Sequence, residues 1–193
     1  DAPWDRARAA RDLAGFLARE LSVDVADVVA WDLMFHDITP PTRLGRDQEL
    51  VASARLDNLL SCWAGTVALG SVARTRSILP STPVLCLFDH EEVGSTSATG
   101  ADGALLAQVL ERVVLARGGD RQDLLRALSG SVCASVDMAH ATHPNHPERH
   151  DPAHHVRVNA GPVVKINANQ RYATSGTSHA VLVRACEVAG VPH

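Results

Sequence analysis

Asp89, His90, Glu91 and Glu92 stand in unbroken succession, directly after the apolar run at 84–88. Crowding three carboxylates at the edge of a core is opposed by mutual repulsion and by loss of hydration. A bound cation offsets both. Two adjacent glutamates also divide labour naturally at such a site: one binds metal while its neighbour stays free to take a proton from metal-bound water. Two further acidic residues follow apolar segments in the same way, Asp57 after residues 50–53 and Asp137 after residues 131–136. Carboxylates together with histidines suit Zn²⁺ or Mn²⁺, whereas all-oxygen shells suit Mg²⁺ or Ca²⁺. An acidic loop entry is ordinarily just solvated; three such ends shift the reading to a metal-dependent hydrolase.

The elements that must position these groups follow from periodicity. Residues 4–21 carry Trp4, Leu13, Phe16, Leu17 and Leu21 at helical spacing. Residues 29–35 alternate apolar and polar side chains, as a half-buried strand does, and Pro40, Pro41 and Gly45 end that segment. Beyond Glu49 the pattern predicts strand and helix in alternation. Strands are expected at 50–53, 83–88, 131–136 and 162–166, and helices at 59–76, 104–116 and 174–189, the last closed by Gly190. Asp57 and Asn58 offer the cap of the first of these helices. The expected fold is α/β, a mixed or parallel sheet flanked by helices, with part of a second, inserted domain at the amino-terminal end. In such sheets sites form beyond the carboxyl ends of the strands, which is where Asp57, the 89–92 run and Asp137 would meet.

Histidines gather at 140, 143, 146, 150, 154 and 155, but Pro144, Pro147 and Pro152 forbid a continuous helix of ligands there. His140 and His143, nearest to Asp137 in sequence, are the better candidates. The Gly/Ser-rich stretch 94–100 lacks a P-loop lysine, and no Gly-x-Ser-x-Gly elbow occurs.

Composition narrows the partners. A chain of 193 residues, 46% hydrophobic and 21% charged, suits a soluble globular fold. A net charge of −4 gives no basic footprint for nucleic acid, and no apolar run reaches the length of a membrane span. Cys62, Cys86, Cys133 and Cys186 are widely spaced in apolar contexts and read as reduced core residues, hence a cytoplasmic protein. The chain opens at Asp1 without an initiator Met and stops at His193 just after a helix, which reads as a piece of a larger enzyme.

Four segments together, "ARLDN" (54–58), "FDHEEVGS" (88–95), "SVDMAHATHPNH" (135–146) and "GPVVKINANQRYAT" (161–174), resemble the M18 metallopeptidases, the aspartyl aminopeptidase family. The resemblance implies a di-zinc exopeptidase, with Mn or Co as substitute metals, an α/β catalytic domain and an inserted domain used in assembly. It implies residues 1–47 as the end of that inserted domain and 48–193 as central catalytic domain. By motif position Asp57 is similar to the carboxylate bridging both zinc ions, Glu91 to the general base, Glu92 to a terminal metal ligand and Asp137 to a ligand of the other zinc. His140, Lys165 and Tyr172 match substrate contacts, with Lys165 favouring N-terminal Asp or Glu; Asp89, His90 and His143 would support the site. Peptides are the implied substrates, and a homo-oligomer the implied assembly. The family also draws one histidine per zinc from segments near the two ends of the full protein, and neither segment is found here. The chain alone is therefore expected to be inactive or poorly metallated. The alternatives are a broad-specificity aminopeptidase, a related di-metal deacylase, or a non-catalytic core fragment.

Overall fold

The computed structural model describes residues 6–75 and 78–193, with side chains from Leu13 onward. The backbone divides into two units, one ending at Ala54 and one running from Arg55 to His193.

In the first unit α1 (Arg6–Leu21) buries Ala18, while Phe16 and Leu21 stay exposed. Trp4, placed on this helix by its spacing, lies outside the described residues. A single 3-10 turn follows, capped by the Asp24 carboxylate, which accepts from the Ala26 N–H at 2.9 Å. β1 (Thr42–Leu44) then pairs antiparallel with β2 (Leu50–Ala52), Arg43 opposite Val51. β2 falls where a strand was expected; β1 falls where residues 40–45 read as a strand's end.

The second unit is built of helices joined by long loops. α2 spans Leu56–Arg74, but Asp57 and Asn58 carry non-helical dihedrals, so its regular part begins at Leu59, the expected start. The expected end, Arg76, lies outside the described residues. Gly65 on α2 lies so close to Leu85 that a methyl group there would meet the leucine Cδ1 at 2.8 Å. α3 (Leu105–Ala116) packs against α4 (Arg121–Ser129), and Arg121 Nη1 reaches Glu111 Oε1 at 3.0 Å across the pair. α4 had no counterpart in the sequence reading. Its start is fixed by a capping box in which Asp120 and Asp123 each accept the other's N–H, both at 2.9 Å. α5 (Gly176–Ala189) opens on a Ser175–Ser178 capping box and closes at Gly190, whose φ of 65° is the left-handed cap expected there.

The sheet differs from expectation. Among the described residues the β1–β2 pair is the only ladder, and it is antiparallel. Residues 29–35, 83–88, 131–136 and 162–166 are not strands. A strand apolar on both faces exists only through hydrogen bonds to neighbours on either side. No such ladder joins these segments here. Burial is correspondingly sparse: Leu124 and Cys186 are the buried apolar side chains described in this unit. All four thiols are free, but only Cys186 is a core residue; Cys62 and Cys86 are half-buried and Cys133 is exposed. No described helix is long and apolar enough to cross a membrane.

Candidate active site

Three loops of the second unit carry the acidic groups. At the head of α2, Arg55 adopts left-handed dihedrals (φ 60°), Asp57 is extended, and the Asp57–Asn58 peptide is cis. Asn58 leaves its Oδ1 buried without a partner and donates from Nδ2 to Asp137 Oδ1 at 2.7 Å.

The second loop is the acidic run itself. His90 is left-handed (φ 64°), and Glu91–Val93 form one 3-10 turn closed by the Gly94 N–H donating to the Glu91 carbonyl at 3.0 Å. Ser95 N–H donates back to the His90 carbonyl at 2.9 Å, and Asp89 N–H to Thr99 at 3.2 Å. His90 Nδ1 and Ser97 Oγ share a hydrogen bond of 2.6 Å. The 94–103 stretch is thus a compact cradle under the glutamates. Its closeness needs small residues: a Cβ on Gly103 would come within 2.7 Å of the Ser97 carbonyl oxygen.

The third loop holds Asp137. Its Oδ1 accepts from the Met138 N–H at 2.8 Å as well as from Asn58. Its Oδ2 accepts from Lys165 Nζ at 2.7 Å, and the same ammonium donates to the Met138 carbonyl at 2.7 Å. Lys165 also lies 5.9 Å from the Tyr172 ring centroid, within cation–π range.

The electrostatics follow from that convergence. Loss of hydration, then the negative charges of Asp137, Glu92 and Asp57, push the Glu91 carboxyl above its ordinary range, with Lys165 opposing. The Lys165 hydrogen bond, followed by those from Asn58 and Met138, holds Asp137 below the usual carboxylate range against a desolvation penalty. Groups from Asp57 to Lys165, far apart in sequence, therefore all act on the Glu91 carboxyl.

Other expected site residues lie differently. His140 is exposed, and His143 is engaged within its own loop: it accepts the Asn145 N–H at 3.1 Å, and its ring lies 5.5 Å from that of His146. Asn58 and the Met138 carbonyl were not foreseen as site groups. Asn58 sits beside Asp57 at a helix start, where a cap reading absorbs it; a backbone carbonyl leaves no mark in sequence.

A family profile described as "Aminopeptidase I zinc metalloprotease (M18)" matches residues 3–193. The chain belongs to the M18 family. It is 57% identical over 181 residues to a probable M18 family aminopeptidase 2 of Streptomyces coelicolor, covering 94% of this chain and 42% of that protein. It is 52% identical over 192 residues to the Mycobacterium leprae protein so named, covering 99% and 44%. It is thus less than half the length of these M18 relatives. Among solved structures, a chain of the Ape4 and Nbr1 complex superposes with a TM-score of 0.77 at 33% identity, covering 94% of this chain and 36% of that one. Yeast aminopeptidase 1 (Ape1) gives 0.76 at 26% identity, covering 93% and 42%.

Zinc is the metal of the family's description, so the donors need testing against it. Among the described residues no group of three or more His, Cys, Asp or Glu side chains is placed to hold a metal ion. The expected ligands Asp57, Glu92 and Asp137 share an electrostatic neighbourhood but not a coordination shell. Both oxygens of Asp137 are taken by protein donors. As they stand, these residues do not fit a zinc ion.

Proposed function

We propose that the protein carrying this chain is a zinc aminopeptidase of two metal ions that releases acidic residues, Asp or Glu, from peptide N-termini. The observation that carries the reading is the gathering of Asp57, Glu92, Asp137 and Lys165 near Glu91, with Lys165 bonded to Asp137. In this reading Asp57, Glu92 and Asp137 are the chain's contributions to the metal sites, completed by donors elsewhere in the protein. Coverage of 42% of the Streptomyces relative leaves room for those donors.

Glu91 is the general base. A carboxyl pushed upward by loss of hydration and by neighbouring negative charge holds a proton more readily than an ordinary glutamate, as shuttling between an attacking water and a departing amine requires. The one-turn 3-10 helix and the 94–103 cradle fix its position. Lys165, with Tyr172 beside it, supplies the positive charge that an acidic substrate side chain would meet. His140 is a further substrate contact, while Asp89, His90 and His143 steady the loops.

The proposed domain division, 1–47 from an inserted domain and 48–193 catalytic, is supported by the change of packing unit at Ala54. A homo-oligomer is supported by likeness to a chain of the Saccharomyces mApe1 dodecamer. Four free thiols support a cytoplasmic setting.

The test is a panel of chromogenic Asp, Glu, Leu and Lys substrates, with acylated amino acids alongside, assayed on the intact protein with its zinc content measured. Asp and Glu should exceed Leu and Lys in kcat/KM by at least about tenfold, the worth of one good charge-assisted contact. Preference for Leu or Lys would establish a broad aminopeptidase instead, and turnover of the acylated compounds alone a deacylase.

A further inference from the structure

The chain enters the Glu91 turn through a strained residue. His90 has φ 64° and ψ 27°, the left-handed region that a residue with a Cβ disfavours. Ser95, just beyond the turn, is left-handed as well, with φ 61°. Such dihedrals persist only where surrounding contacts hold them. Here three alternate residues of one short stretch supply the hold. The Ser95 N–H donates to the His90 carbonyl at 2.9 Å, and the Thr99 carbonyl accepts from the Asp89 N–H at 3.2 Å. Between them, Ser97 Oγ and His90 Nδ1 share a hydrogen bond of 2.6 Å. The first two bonds join main chain to main chain and form with almost any side chains. The third depends on what residues 90 and 97 are, and it is the shortest of the three. Ser97 is half-buried and pinned in its own loop, its carbonyl accepting from the Gly100 N–H at 3.1 Å. Its hydroxyl therefore meets the exposed His90 ring from a fixed point.

We propose that Ser97 is a positioning residue: its hydroxyl, bonded to the His90 ring, holds the left-handed turn that aims the Glu91 carboxylate. This rests on the reading of Glu91 as the general base. Ser97 takes no part in proton transfer and works only through His90. A base acts only within hydrogen-bond reach of the proton it removes. A misplacement of about 1 Å can cost on the order of a hundredfold in rate. Because His90 directly precedes Glu91, any relaxation of its dihedrals swings the carboxylate. Lys165 and Tyr172, the substrate contacts of the proposed function, belong to a different loop. Loss of the Ser97 bond therefore slows the chemical step and leaves substrate capture intact.

The experiment measures kcat and KM of the intact protein with its best chromogenic substrate, at a temperature where melting curves show every variant folded. Ser97→Ala should lower kcat about tenfold and leave KM unchanged, between the loss of one hydrogen bond and a full ångström of misplacement. Ser97→Thr keeps the hydroxyl and should recover most of that loss. His90→Ala should also lower kcat, and adding Ser97→Ala to it should cost nothing more, since the ring through which the serine acts is gone. This cycle decides the matter even where the threonine methyl is not accommodated. An unchanged kcat in Ser97→Ala, or losses that multiply in the double variant, would overturn the proposal while leaving Glu91 as the base. Glu91→Gln, run alongside, tests the base itself: full turnover in that variant would overturn both.

Discussion

Asn58 Nδ2 donates to Asp137 Oδ1 at 2.7 Å, joining the head of α2 to a loop 79 residues further along the chain. This bond brings the Asp57 segment to Asp137, because Asn58 is the next residue after Asp57. The same carboxylate accepts from Lys165, so three separated segments meet on one side chain.

Asn58→Ala should cost about 1 kcal/mol, the ordinary worth of one hydrogen bond. Asn58→Asp should cost more, since it sets a second carboxylate against Asp137 where a donor stood. Urea unfolding midpoints at pH 7 measure both, and equal midpoints for the two variants would refute this role for the amide.

Opposite shifts at Glu91 and Asp137 predict opposite pH behaviour. Asp137 is lowered from its ordinary 3.8, so its contribution to stability is fully present above that value and is lost as pH falls through the lower folded pKa. The deficit of Asp137→Asn should therefore be full at pH 7 and shrink toward acid. Glu91 is raised from 4.5, so the folded state binds its proton more tightly and stability declines as pH rises from 4.5 through the folded value. Glu91→Gln removes that decline. Melting curves of both variants across pH 3 to 8 check the two signs, and deficits that run parallel to the unmodified protein would contradict them.

Adjacent glutamates with unlike roles should fail in unlike ways. Glu91→Gln is expected to retain zinc and lose turnover by at least about a hundredfold, the lower range for loss of a general base. Glu92→Ala is expected to lower zinc affinity first and activity as a consequence. Metal analysis beside kinetics distinguishes them; equal metal loss in both would mean the roles are wrongly divided.

How much of this was legible in sequence depended on whether the physics was local. The acidic run, the helix beginning at Leu59 and the Gly190 cap rest on neighbouring residues and could be read directly. Residues 83–88 could not be read securely as a strand, since an apolar run says that a segment avoids water but a strand is made by its partners. The expectation of a parallel sheet failed there among the described residues. α4 had no counterpart among the expected helices, although Asp120 and Asp123 form its capping box. Asp57, Glu91, Glu92, Asp137 and Lys165 are named from motif, and the fold sets the other four near enough to Glu91 to act on its carboxyl. The ion pair that Lys165 makes with Asp137 was not foreseen, since spacing alone gives no sign of which cation a carboxylate will hold.

The cradle beneath Glu91 offers a graded test. A Cβ at Gly100 would fall on the Ser95 carbonyl, which is backbone and cannot turn aside. Ser95 N–H is bonded to His90, whose left-handed dihedrals start the Glu91 turn, so the displacement would reach the base. Gly100→Ala should cost about 1–3 kcal/mol, the range for overpacking, and reduce kcat more than KM. Gly94 has open space around it but a φ of 102°, so Gly94→Ala suffers conformational strain alone, about 1–2 kcal/mol. Gly176, with open space and no such dihedral, begins α5; Gly176→Ala should be neutral or stabilising by about 0.5–1 kcal/mol. Urea midpoints in the order Gly176→Ala, unmodified, Gly94→Ala, Gly100→Ala are expected, with the loss of kcat largest in the last. An unchanged midpoint for Gly100→Ala would show that the Ser95 carbonyl does not confine the turn that carries Glu91.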